Sequence, residues 1–280
     1  MKYILILLFS LTCIIAKPTV TVSILPQTYF VEKIAGDTLS INVMVLPGNS
    51  PATYEPKPKQ MVALENSDAY FAIGVPFEKT WLSRFEKSFP NLKIINTHKG
   101  IKKLPISNHH HEDEKANELH EVLDPHIWLD PILVKKQALQ IAEALKVLYP
   151  DHKELYTKNL KDFLAELDMI HKTIQTALKL KNSKKFMVFH PSWGYFAKRY
   201  QLEQEAIEIE GKEPKPSQLA NIIKEAREEG IKNIIIQPQF SKKSATLIAK
   251  EIGATVISVD QLSIKWKDEL LFLATMLSKN

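Results

Sequence analysis

Hydrophobic and polar positions along the chain alternate between two periods. Short β-branched runs punctuate the first half, PTVTVSI, LSINVMVL, DAYFAIG and LKIIN, and another set punctuates the second, KKFMVFH, QEAIEI, KNIIIQP and ATVISVD. Between them lie stretches with apolar residues at helical spacing, such as Ile132 to Leu148 and Leu219 to Ala226. A buried strand reads as a short apolar run, whereas a packed helix repeats its apolar face about every 3.6 residues. The alternation predicts parallel sheets with crossover helices, four strands to each half.

The halves are separated by DHKELYTKNLKDFLAELDMIHKTIQTALKL, Asp151 to Leu180, which contains neither Gly nor Pro. Apolar residues at 155, 160, 163, 164, 167, 170, 174 and 178 keep helical period throughout. A helix of that length is a rod of about 45 Å, longer than a crossover inside one lobe requires. The pattern predicts a rigid connector over 151–181 whose amphipathic stripe lies along both lobes. The expected fold class is α/β, with two four-stranded parallel-sheet lobes over 17–150 and 182–280 joined by this helix.

Composition narrows the class. The opening residues, MKYILILLFSLTCIIAKPTV, place one Lys before an apolar run from Tyr3 to Ile15, followed by Ala16 as a small cleavage residue, which reads as a secretory signal over 1–16. That run falls short of the roughly 20 residues needed to cross a bilayer. The single Cys, Cys13, follows Thr12, where a lipid-acceptor motif wants Gly, Ala or Ser, so the reading is export to the periplasm without a lipid anchor. Without Cys13 the exported chain has no disulfide, and its stability rests on burial. The net charge of +5 is spread over alternating Lys and Glu, as in NIIKEAREEG, without the basic stripe that nucleic-acid binding requires.

Nine histidines supply the candidate chemistry. The segment from about 98 to 123 is aperiodic and polar, and it carries His109, His110, His111 and His120 among acids. Such a loop attracts zinc through imidazole nitrogen without fixing a geometry, or is simply a solvated insertion. His126 differs, because DPHIWLDP sets it between two Asp-Pro pairs. Asp130 and Pro131 form an N-cap and first position for the next helix, and Asp124 is available to orient the imidazole. His190 follows the run KKFMVF and Asp260 ends ATVISVD, which puts both at the carboxyl ends of parallel strands, where α/β sheets bind ligands. Two facing lobes bring His126, His190 and Asp260 to one cleft, a nitrogen and oxygen set suited to a divalent transition metal.

Together, PGNSPATYEPKP, DPHIWLDP, VFHPSWGYFAKRYQL, GKEPKPSQL, IIIQPQFS and VISVDQL resemble, in order and spacing, the cluster A-I metal-binding proteins, the periplasmic receptors of zinc and manganese ABC transporters. The zinc-uptake branch is the nearest match. The resemblance implies a monomeric receptor that clamps one metal between its lobes and passes it to an inner-membrane ABC permease. It also implies His126, His190 and Asp260 as ligands. The family's first histidine does not carry over, since Ala52 stands there in Pro51-Ala52-Thr53-Tyr54-Glu55-Pro56. Glu208 in AIEIEGKEPKP lies close to where manganese-type receptors place a glutamate ligand. Glu208, Glu55, a water or a loop histidine are the options for the fourth position. Imidazole-rich sets favour zinc, whereas a second carboxylate tolerates manganese or iron, and the His-rich loop is typical of zinc receptors. A zinc hydrolase would need Glu55 or Glu208 as general base, and no H-E-x-x-H is present. A surface adhesin on the same fold is the remaining alternative.

Overall fold

The computed structural model describes residues 17–106, 123–179, 184–209 and 211–279. The expected signal with Cys13, and the histidines His109, His110, His111 and His120, lie outside the described residues.

Each of the eight β-branched runs carries a strand, with β6 starting one residue ahead of its run: β1 Thr19–Val22, β2 Ser40–Val43, β3 Ala69–Ala72, β4 Lys93–Asn96, β5 Lys185–Val188, β6 Glu203–Ala206, β7 Asn233–Ile236 and β8 Thr255–Ser258. They build two parallel sheets, ordered β2-β1-β3-β4 and β6-β5-β7-β8. In register, Val20 faces Ile41 and Ala69, and Ile235 faces Val188 and Ile257. The inner strands β3 and β7 are buried at every position, which is why AYFA and NIII read as unbroken apolar runs.

The helices are α1 Leu25–Ala35, α2 Pro58–Glu65, α3 Pro76–Ser88, α4 Pro131–Leu148, α5 Lys153–Leu178, α6 Gly194–Arg199, α7 Pro216–Glu228, α8 Lys243–Ile252 and α9 Trp266–Ser278. Proline occupies the first turn of α1, α2, α3, α4 and α7, where its missing N–H leaves no bond unmade. Gly253 ends α8 in the left-handed region at φ +70°, open to glycine without steric cost.

The connector α5 buries Tyr156, Leu160, Phe163, Leu167, Ile170, Ile174 and Leu178 against α1, α4 and α9. Its stripe starts at Tyr156, whereas Leu155 is exposed. At about 100° per residue, position 155 is turned away from the line through 160 and 163, and 156 falls on it. The tyrosine also reaches a partner, its hydroxyl lying 2.9 Å from that of Thr38.

Period-two alternation in β5 splits the packing of the second sheet. Phe186 and Val188 enter one continuous core with the first lobe, α5 and α9, while Met187 and Phe189 face a smaller core with Ile222 of α7 and Ile248 of α8. The last helix thus ties the lobes together. Trp266 sits edge-on to Phe30 at 5.0 Å, and Lys267 reaches Glu166 on α5 at 2.9 Å. The aperiodic stretch after 98 is packed at its start, where Ile101 is buried and Lys103 Nζ donates to the Gly74 carbonyl at 3.0 Å. A bridge between Pro105 and Leu123 closes its base.

Candidate metal centre

Each strand of the second sheet delivers a polar side chain just past its carboxyl end: His190 after β5, Glu208 after β6, Gln237 after β7 and Asp260 after β8. Parallel pairing turns these four ends to the same edge, where α/β sheets take ligands. The strand order reverses between β5 and β7, and there Gln237 grips the backbone of His190. Its Nε2 donates to the His190 carbonyl at 2.8 Å, and its Oε1 accepts from the His190 amide at 3.3 Å. The imidazole stacks on Phe240 with centroids 4.8 Å apart and planes at 21°. Its Nδ1 donates to Glu208 Oε1 at 2.7 Å.

His126 arrives from the first lobe. Asp130 caps α4 by accepting from Ile132 N at 2.8 Å, and a 3₁₀ turn over Ile127–Leu129 leads into it. At the other end Asp124 Oδ1 accepts from both the amide and Nδ1 of His126, at 2.8 and 2.7 Å. Burial holds His126 below the usual imidazole range, against the pull of the Asp124 carboxylate, so the ring is neutral at neutral pH.

A carboxylate can only accept, so each imidazole donates from Nδ1, and Nε2 is the nitrogen left to meet a ligand. The rings stand 5.2 Å apart, centroid to centroid, at 74°. Two imidazoles held close, each with a carboxylate on its Nδ1, have the arrangement that metal-ligating histidines use. A cation is the partner that rewards such closeness of two imidazoles.

The structure brings together His126, His190 and Glu208, whereas Asp260 stands further along the same edge. Asp260 Oδ1 accepts from Gln239 Nε2 at 2.8 Å and from Leu262 N at 3.0 Å, and its own amide donates to Glu269 Oε2 at 3.1 Å. Among the described residues no group of three or more His, Cys, Asp or Glu is set to hold a metal ion. Glu208 spends one oxygen on His190, and its other oxygen, Oε2, is buried with no hydrogen-bond partner among the described residues. Ala52 is exposed, with its amide on Ser50 Oγ at 3.2 Å, and Glu55 is exposed as well.

Sequence reasoning found the histidines and Asp124 but passed over Gln237, Gln239 and Phe240. The signal was present in IIIQPQFS, since the rule that picked His190 and Asp260 at strand ends applies equally to the glutamine after β7.

Two α/β lobes on a shared core, with a carboxylate-oriented histidine pair where they meet, define a two-lobed solute-binding protein. The chain belongs to the family described as zinc-uptake complex component A, periplasmic, which matches residues 20–279. The high-affinity zinc uptake system protein ZnuA of Bacillus subtilis is 31% identical over 261 residues, 90% of this chain and 81% of that protein. A crystal structure of a ZnuA is 42% identical with a TM-score of 0.86, covering 94% of this chain and 99% of that one. A zinc-bound ZnuA with residues 138–173 of its own numbering deleted is 41% identical at a TM-score of 0.85, covering 94% and 97%. The laminin-binding protein of Streptococcus agalactiae shares the fold at a TM-score of 0.79 and 24% identity, covering 93% and 99%. No helix among the described residues is long and apolar enough to cross a membrane.

Proposed function

We propose that this chain captures zinc in the cleft between its lobes and delivers it to an inner-membrane ABC permease, acting as an exported, monomeric periplasmic receptor with no catalytic or nucleic-acid role. His126, His190 and Asp260 are its ligands in this reading, and Glu208 completes the polar shell. The observation that carries it is the pair of imidazoles 5.2 Å apart, each oriented by a buried carboxylate. Two imidazoles suit zinc, which takes nitrogen ligands at about 2.0–2.1 Å in a tetrahedral shell. Family membership supports the transport role, because the family and the Bacillus subtilis relative are both named for zinc uptake.

One observation favours a second metal. The unpartnered Glu208 Oε2, together with Asp260, offers two carboxylates, and a two-imidazole, two-carboxylate set tolerates manganese. Calorimetry on the purified mature chain, with zinc and manganese compared under chelator control, tests both readings. Tight, one-to-one zinc binding with weaker manganese binding is the expected result. Stronger manganese binding would reverse the assignment, and no binding of either metal would overturn the proposal.

A further inference from the structure

The loop that carries His126 is fastened to the second lobe as well as to its own. The Tyr195 hydroxyl on α6 donates to the Asp124 carbonyl at 2.8 Å and accepts from Leu104 N at 3.0 Å. Asp124 N in turn donates to the Leu104 carbonyl at 2.7 Å. One buried hydroxyl from the second lobe therefore joins the two backbone segments on which Asp124 sits.

Gly194, the residue before it, approaches the same aspartate from its side chain. A Cβ at Gly194 would stand 2.8 Å from Asp124 Oδ2 and 3.3 Å from Gln204 Nε2. The Gly194 backbone lies outside the left-handed region, so no turn geometry asks for glycine there. Close approach of the carboxylate does. Asp124 is thereby bonded at its carbonyl by Tyr195 and at its Oδ1 by His126, while its Oδ2 lies where a side chain on Gly194 would stand. Further along the same loop, Arg199 of α6 pairs with Asp130 at 2.7 Å, and Trp128 Nε1 donates to the Gln261 carbonyl at 2.9 Å.

We propose that Gly194 and Tyr195 are positioning residues for the metal site: by locating Asp124 they set the orientation of His126 relative to His190 across the lobe boundary. The proposal rests on reading these two histidines as ligands. Its physical content is that α6 follows His190 directly in the chain, so one short segment carries one imidazole and clamps the support of the other. The spacing of the pair is then built into α6, independent of any movement of the lobes at their outer edges.

Two substitutions in the full mature chain test this, Tyr195→Phe and Gly194→Ala. Tyr195→Phe removes only the hydroxyl, and Gly194→Ala places a methyl against Asp124 Oδ2. Removing outer supports of a metal ligand weakens binding about 10- to 100-fold, and that range is expected for zinc in both variants. The second readout needs no metal. Nitrogen NMR of the metal-free protein labelled in histidine reports which ring nitrogen carries the proton. His126 is expected to hold its proton on Nδ1 in the wild type and to lose that preference in both variants, while His152 and His171 stay unchanged. Unfolding temperature checks that each variant is folded. Folded variants with a zinc Kd within about twofold of wild type and an unchanged His126 signal would overturn the proposal, as would variants that bind weakly only because they fail to fold. If Gly194→Ala alone does not fold, Tyr195→Phe decides. A wild type that binds no zinc would instead strike at the receptor reading, and the histidine signal would still judge the role of Tyr195 and Gly194.

Discussion

The imidazoles of His126 and His190 come from different lobes and meet with centroids 5.2 Å apart, His126 backed by Asp124 and His190 by Glu208. Each ring is anchored through its Nδ1. The pair is preorganised by hydrogen bonds that exist before any cation arrives, so metal binding need not order these side chains.

Replacing either histidine with Ala is expected to remove most of the zinc affinity, since a solvent molecule cannot reproduce an anchored imidazole. Asp260→Ala is expected to weaken binding as well, because Gln239 and the Leu262 amide hold that carboxylate in place at the same sheet edge. Competition titration with a zinc chelator measures all three. An unchanged Kd in any one of them removes that residue from the ligand set.

Glu208 is expected to act in proportion to what it offers His190. Glu208→Gln keeps an oxygen that can accept from Nδ1, whereas Glu208→Ala leaves that nitrogen unsupported. Ala should therefore cost about 10- to 100-fold in zinc affinity and Gln less. Equal losses in both would mean that the charge, through Oε2, is what matters. Ala52→His is expected to shift preference toward zinc over manganese by adding an imidazole, which X-ray absorption at the zinc edge would count.

Excision of Asn108 to Glu118 is expected to leave the unfolding temperature and the principal zinc site intact while abolishing weaker secondary binding. The Pro105–Leu123 bridge and the Asp124–Leu104 hydrogen bond close the base of that segment independently of it. Loss of the tight site in the shortened protein would make a histidine of the segment a ligand.

Arg199→Ala is expected to destabilise the fold by about 1.5–3 kcal/mol, the range for a hydrogen bond to a charged group. The guanidinium contacts both Asp130 oxygens, and that carboxylate is buried, so its loss leaves it, among the described residues, only the Ile132 amide as partner. Denaturant unfolding of the metal-free protein reads the difference.

Glu78, buried after β3, accepts from Ile73 N at 2.9 Å, from Gly74 N at 2.7 Å and from the Ser23 hydroxyl. Burial raises its carboxyl above the ordinary 4.5 even so. The native state then takes up a proton at higher pH than the unfolded chain. Its contribution is fully present below about 4.5 and is lost as pH rises through the raised native value. Glu78→Gln is expected to abolish that slope and, at neutral pH, to cost about 1–3 kcal/mol because its NH₂ group meets the Gly74 amide. Urea unfolding across a pH series checks both.

Much of this protein is local and therefore legible in the chain. Apolar runs and their spacing determine eight strands, the long helix and the parallel class, because burial of a strand or a helical stripe depends on periodicity alone. Asp130-Pro131 determines the start of α4, because an N-cap acts on the amide two residues ahead of it. Strand-end position, read with the family's motifs, also marked His126, His190 and Asp260. Tertiary structure decided the rest. Tyr156 rather than Leu155 lies on the buried face of α5, since only the packed partners define that face. Phe186 and Met187 part between two cores according to which helices cover each side of the sheet. The pairing of Glu208 with the outer nitrogen of His190, and the grip of Tyr195 and Gly194 on Asp124, join residues far apart in the chain. A hydrogen bond depends on distances of a few tenths of an ångström, and those are set by how two sheets and α5 pack, which no periodicity of a single segment encodes.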